Sequence, residues 1–293
     1  MEKFEKEKTV ELTRVMNILG VRKYTESNLD LMNLVAASLD RIPSKQPVIT
    51  RTEYSKEQLI YTGLETLKIY DKKVVEKIEG IFSTTGFVIV TKPCEFTTRI
   101  DFDVNNENEK YVVDKKSGKV NHFKISKISS LSDIIWYAHE GLHACKDTYY
   151  DEYIDLCRYD DVITLLHELI LSLDLNEELF NEWIKIRYYF IKSNIDKVKA
   201  AQKEKQEDIN NQEIYDTVIG LAGECLTSYY YALILFDLYL TNPRAVLGQV
   251  NKVLNGEQTT EEMLNFFKIL NPKNDLNNKF INMSNKFTNY LRR

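Results

Sequence analysis

No stretch of this chain constrains its fold more than the five residues His139-Glu140-Gly141-Leu142-His143. On an α-helix, two histidines four apart stand one above the other on a single face. Neutral imidazoles in that geometry can share one Zn²⁺. A glutamate directly after the first histidine lies on the flank of the same face, where it can take a proton from an attacking water. The motif demands a helix, and residues 132–145 supply one. Ile134, Ala138, Gly141, Leu142 and Cys145 recur at helical spacing as an apolar back, while Trp136, His139, Glu140 and His143 fall on the opposite side. Ser130 or Ser132 can cap the start. The chain has four histidines, and two of them stand in this ligand spacing; His122 and His167 are the others.

The bulk composition narrows the function classes. A net charge of −5 without a large basic block makes nucleic acid a poor partner. The first residues, Met-Glu-Lys-Phe-Glu-Lys-Glu-Lys, lack the apolar stretch of a signal peptide, and no apolar run approaches membrane-spanning length. Cys94, Cys145, Cys157 and Cys225 form no CxxC pair and read as reduced core residues. These features predict a cytoplasmic protein with no membrane partner. The 10 glycines and 5 prolines are few for 293 residues, which suits long helices.

Hydrophobic periodicity predicts one or two amphipathic helices over 1–45 and a single helix from Tyr54 to about Phe82. Short runs rich in Val, Ile, Phe and Thr follow at 86–90, 96–104, 111–113 and 120–128. Turn residues separate them, and they predict three or four strands, at least partly antiparallel. Beyond Tyr159 only helices are expected, with the polar stretch 198–212 as a helix end or connecting loop and with breaks at Asn242-Pro243 and Asn271-Pro272. The predicted fold class is mainly α with a small β-sheet (α+β). It forms a single domain over 1–293: N-terminal helices at 1–53, a sheet and the two site helices at 54–175, and a helical remainder at 176–293.

Two histidines leave a zinc ion short of a third protein ligand. In 160–175 the helix is apolar on nearly every side except for the stripe Asp161, Thr164, Glu168, Ser172. A buried carboxylate must be paired or bind a metal, which makes Glu168, in the middle of that stripe, a candidate. Glu224 occupies a similar stripe on the helix at 213–240, and its alternative role is a carboxylate satisfied by nearby Ser, Thr or Tyr. His167, a quarter-turn from the first stripe among Ile163, Ile170 and Leu171, reads as a hydrogen-bonded core histidine or a third candidate ligand.

The order of parts resembles the thimet oligopeptidase and oligoendopeptidase F family of zinc peptidases, as a short, gluzincin-like relative. The likeness covers roughly 54–270. It lies in a helix, a small sheet, an edge strand at 121–128, the HExxH helix entered through Phe123-Lys124-Ile125-Ser126-Lys127-Ile128-Ser129-Ser130-Leu131-Ser132-Asp133, and then a glutamate helix. In that family the third ligand is a glutamate about 25 residues after the second histidine, and Glu168 stands at that distance from His143. The resemblance therefore implies a zincin-like catalytic domain in which His139, His143 and Glu168 bind Zn²⁺ and Glu140 is the general base. Peptides or unfolded protein segments are the implied substrates, pairing with the edge strand. The family also uses a histidine and a tyrosine on a late helix to hold the substrate and the oxyanion. The segment Leu221-Ala222-Gly223-Glu224-Cys225-Leu226-Thr227-Ser228-Tyr229-Tyr230-Tyr231 resembles that helix, and Tyr231 or Tyr229 would supply the donor. Gly220 stands where the histidine would, and Leu142 rather than glycine precedes His143. Those departures favour an alternative, a catalytically degenerate peptidase-like module that binds a peptide or protein.

Overall fold

In the sequence Leu221 to Phe236, apolar and aromatic residues cover every face of a helix, so no orientation leaves a solvent side. The fold is arranged around that helix. The computed structural model describes residues 27–39, 56–84, 86–90, 113–114, 119–120, 122–126, 131–147, 159, 161–207, 212–270 and 274–290. In chain order its elements are α1 (Ser27–Leu39), α2 (Lys56–Thr66) ending in a 3₁₀ turn (Leu67–Ile69), α3 (Lys72–Thr84), β1 (Gly86–Val90), β2 (Val113–Asp114), β3 (Lys119–Val120), β4 (His122–Ser126), α4 (Leu131–Asp147), α5 (Val162–Leu171), α6 (Glu177–Glu207), α7 (Gln212–Thr241), α8 (Pro243–Leu254), α9 (Thr260–Phe266) and α10 (Asn274–Tyr290).

Helix α7 is the hub. It packs against α6, α5, α1, α10 and α8, and every side chain from Leu226 to Phe236 is buried. The site helix α4 lies against α2 and α3 on one side and α5 on the other. Lys77 of α3 donates to the Cys145 carbonyl at 2.6 Å. A cation thereby meets the free carbonyls at the C-terminal end of α4, where the helix dipole favours positive charge.

The single helix expected over 54–82 is broken. Tyr70 adopts an extended conformation after the 3₁₀ turn. Its ring turns into the core, where its hydroxyl meets His167 Nδ1 at 3.2 Å. The Asp71 N–H is satisfied by the Asn251 side chain of α8 at 3.0 Å. Two tertiary hydrogen bonds thus replace helix continuation. At the other expected break, Asn242 caps α8 by accepting from the Ala245 N–H, with Pro243 in the first helical position, where a missing N–H costs nothing. The polar stretch after 198 continues α6 to Glu207, and 208–211 lie outside the described residues.

The expected small β-sheet is corrected. The described residues are mainly helical, and no sheet of three or four strands is formed among them. Among the described residues β1 pairs with β4, in parallel from Gly86↔His122 to Val90↔Ser126. β2 and β3 make a separate two-residue antiparallel contact. The described core comes instead from helices and the turns at their ends. The run 96–104 lies outside the described residues, as do all of residues 1–26. Among the described residues no helix is long and apolar enough to cross a membrane.

Candidate metal centre

His139 and His143 project from the middle of α4 into the space between α4 and the start of α5, and both are buried. The face opposite the apolar back of α4 is therefore not a surface. Ile135, Ala138 and Leu142 are buried on one side, and the two imidazoles and Glu140 are covered as well. The two Nε2 atoms stand 3.1 Å apart.

A third donor completes the group. Asp161 Oδ1 lies 3.1 Å from His143 Nε2 and 3.8 Å from His139 Nε2. Zinc–ligand bonds of ~2.0–2.1 Å at a tetrahedral angle separate neighbouring donor atoms by ~3.3 Å. The observed separations of 3.1, 3.1 and 3.8 Å lie close to that value. His139, His143 and Asp161 can hold a metal ion.

The local chain explains how Asp161 comes to be there. It occupies the N-cap position of α5 but makes no side-chain capping bond, so its carboxylate is turned toward the histidines. Two residues earlier Tyr159 has φ 64°, a left-handed conformation that is unfavourable for a bulky side chain. Burial of its ring edge-on to Tyr231, with centroids 5.3 Å apart, holds it in place. Asp161 is the more open member of the group, with 27% of its side chain exposed.

Glu168, the ligand expected from the family resemblance, is not on the side of the imidazoles where the three donors converge. Its Oε1 is 2.8 Å from Nδ1 of His139, the ring nitrogen facing away from His143. Arg187 of α6 makes a two-pronged pair with the same carboxylate, Nε donating to Oε2 at 2.8 Å and Nη2 to Oε1. Trp183 Nε1 donates to Oε2 at 3.2 Å. Glu168 and Arg187 are both buried, which satisfies the need of a buried carboxylate for a partner without a metal.

The electrostatics follow this division. Burial works to raise the Glu168 carboxyl, but the Arg187 charge and the His139 contact outweigh it and hold it down at about 2. Burial works to lower His139, but the hydrogen bond and charge of Glu168, with Glu140 and Asp161, raise it above the ordinary histidine value. Burial pushes His143 down to about 3, Asp161 opposing only in part, so its imidazole is neutral near pH 7, the state a metal ligand needs. Cys225 of α7 is pushed up to about 12 by burial and then by the charge of Asp161, so it is a thiol there and not a thiolate ligand.

The remaining expected residues fall elsewhere. Glu224 accepts from Ser228, one turn on in its own helix, at 2.9 Å and is not among the three converging donors. His167 is fully buried between Tyr70 and Thr66 as a core histidine. The Tyr229 hydroxyl donates to Tyr188 on α6, and that of Tyr231 donates to the Leu270 carbonyl, so neither is aimed as an oxyanion donor at the histidine pair. Asp161 was visible in the sequence as the first member of the polar stripe. Arg187 left a signal as well: it interrupts the apolar stripe Trp183, Ile184, Tyr188, Ile191 of α6, on the face that must be buried. No family model, no curated protein and no solved structure matches the chain.

Proposed function

We propose that this protein is a zinc-dependent metallopeptidase that hydrolyses peptide bonds in peptides or unfolded segments. The convergence of His139 Nε2, His143 Nε2 and Asp161 Oδ1 at near-tetrahedral separations, with a buried glutamate directly after the first histidine, carries this reading. Two imidazoles and one carboxylate are a donor set that suits zinc, and three protein ligands are the number that a catalytic site uses. Asp161 replaces Glu168 as the third ligand.

Bound there, Zn²⁺ would polarise the scissile carbonyl and make a water more acidic. The protein's own contribution begins with Glu140, whose carboxylate takes a proton from the attacking water and passes it to the leaving amine. Glu140 is buried and close enough to His139 for its charge to be felt there. The substrate class rests on the family resemblance, and the reaction class on the HExxH chemistry.

The test is Glu140→Gln. It should keep the fold and the metal and lower peptide hydrolysis by about 10²–10⁴-fold, the usual contribution of a positioned general base. Wild-type protein that holds zinc yet cleaves nothing in a broad peptide library would leave the peptide-binding module as the reading.

A further inference from the structure

The geometry points to Glu168 and Arg187 as positioning residues for the metal ligand His139: the Arg187-clamped carboxylate of Glu168 fixes the proton of His139 on Nδ1 and turns Nε2 toward His143 and Asp161. This rests on the metal centre proposed above and differs from the role the family resemblance gives Glu168.

An imidazole has two nitrogens, and the bond made by one decides what the other can do. Neutral His139 can carry its proton on either. A carboxylate at 2.8 Å from Nδ1 accepts that proton's hydrogen bond, which leaves the lone pair on Nε2. That lone pair is the one directed at the place where Asp161 Oδ1 and His143 Nε2 meet. A carboxylate acceptor also makes the imidazole a stronger donor to a metal, and partners of this kind typically contribute 10–100-fold to metal affinity.

Glu168 can do this only if its own orientation is fixed, and three donors fix it. Arg187 Nε and Trp183 Nε1 bind Oε2, and Arg187 Nη2 shares Oε1 with His139. The planar guanidinium holds the carboxylate in one plane, which a point charge such as lysine cannot do. The clamp also joins three helices, α4 through His139, α5 through Glu168 and α6 through Trp183 and Arg187, so the ligand's orientation is tied to helix packing. Glu168 is 1% exposed and Arg187 6%, so water does not compete for these bonds.

Removing one charge alone would leave the other buried and unpaired and could unfold the chain. The test therefore uses the neutral double variant Glu168→Gln/Arg187→Gln beside the single variant Trp183→Phe, whose fold loses one indole donor only. Zn²⁺ and Co²⁺ affinities are measured by chelator competition. The tautomer of His139 is read from imidazole ¹⁵N–¹H correlations in the Zn²⁺-loaded protein. The double variant should still bind one metal ion per chain, with affinity lowered about 10–100-fold. The wild type should show a His139 Nδ1–H resonance shifted downfield by a carboxylate acceptor, which moves upfield in the double variant and less far in Trp183→Phe. Complete loss of metal in the folded double variant would make Glu168 a ligand and overturn the assignment. Unchanged affinity, or a wild-type spectrum with His139 protonated on Nε2, would overturn it too. If the double variant does not fold, an Nδ1–H resonance in Trp183→Phe identical to wild type counts against the proposal. None of these readouts needs peptide cleavage, so an inactive but metal-loaded protein defeats the peptidase reading alone.

Discussion

His167 and Glu168 are neighbours in sequence and about a quarter-turn apart on α5, yet they serve different neighbours. Glu168 reaches His139 and Arg187, whereas His167 reaches Tyr70 and Thr66 on the α2 side. Burial pushes His167 down to about 3, so it stays neutral in the folded protein where it would be half-protonated at pH 6.5 in the unfolded chain. The unfolded state then binds the extra proton, and folding stability falls as pH drops from 6.5 toward 3. The full contribution is present above pH 6.5, and the loss approaches about 1.4 kcal/mol per pH unit well inside the window. His167→Gln, which cannot titrate, should show a shallower decline in denaturant-unfolding stability across that range. Parallel curves for the two proteins would contradict this account of His167. At this scale the sequence was most legible where one residue type has one use. The His139–His143 pair and the core role of His167 could be read from spacing and environment. The sequence pointed to Glu168 rather than Asp161, because both lie on the polar stripe of one helix and only Glu168 sits in its middle. Which of them faces Nε2 and which faces Nδ1 depends on how α5 lies across α4, and that is a tertiary property.

The helices themselves were legible from apolar period, and their ends where capping chemistry is strong. Asn242-Pro243 is one such end. The structure adds a second strong cap at the start of α9, where Thr259 accepts from the Glu262 N–H and Glu262 accepts from the Thr259 N–H. The break between α2 and α3 was hidden because its cause lies in other elements, His167 on α5 and Asn251 on α8. The sheet was overread for a related reason. Val, Ile and Phe alternation marks residues that suit a strand, but a sheet exists only where partners are found, and among the described residues β1 pairs with β4 alone. Helix α1 shows how close an unforeseen contact can be. A Cβ at Gly223 of α7 would overlap Met32 Sδ, so the two helices approach through the missing side chain. Gly223→Ala should destabilise the protein by about 1–3 kcal/mol through overpacking. Met32→Ala should cost about 2–5 kcal/mol through its cavity. Combined, they should cost less than their sum by at least about 1 kcal/mol, because the second change removes the clash of the first. Strict additivity in a double-mutant cycle would show that α1 does not seat on Gly223.

Across the whole molecule the candidate centre sits where separately packed helices meet. α4 is held by α2 and α3, and α5 by α7. A metal ion bound by His139, His143 and Asp161 would tie the middle of α4 to the start of α5, and so stabilise the folded chain by mass action. Of the three candidate donors, His139 and His143 are buried and Asp161 is partly exposed. The helical character of the described residues was legible from composition and period, whereas the third member of the His139–His143–Asp161 group emerged only when the helices were assembled. The central claim is that the HExxH pair and Asp161 make one metal centre, and metal content per chain tests it most directly. Purified wild-type protein loaded with Zn²⁺ and freed of excess should carry about one ion per chain. His143→Ala and Asp161→Asn should each carry almost none while remaining folded. A wild type that holds no ion, or an Asp161→Asn protein that keeps its full complement, would contradict the account.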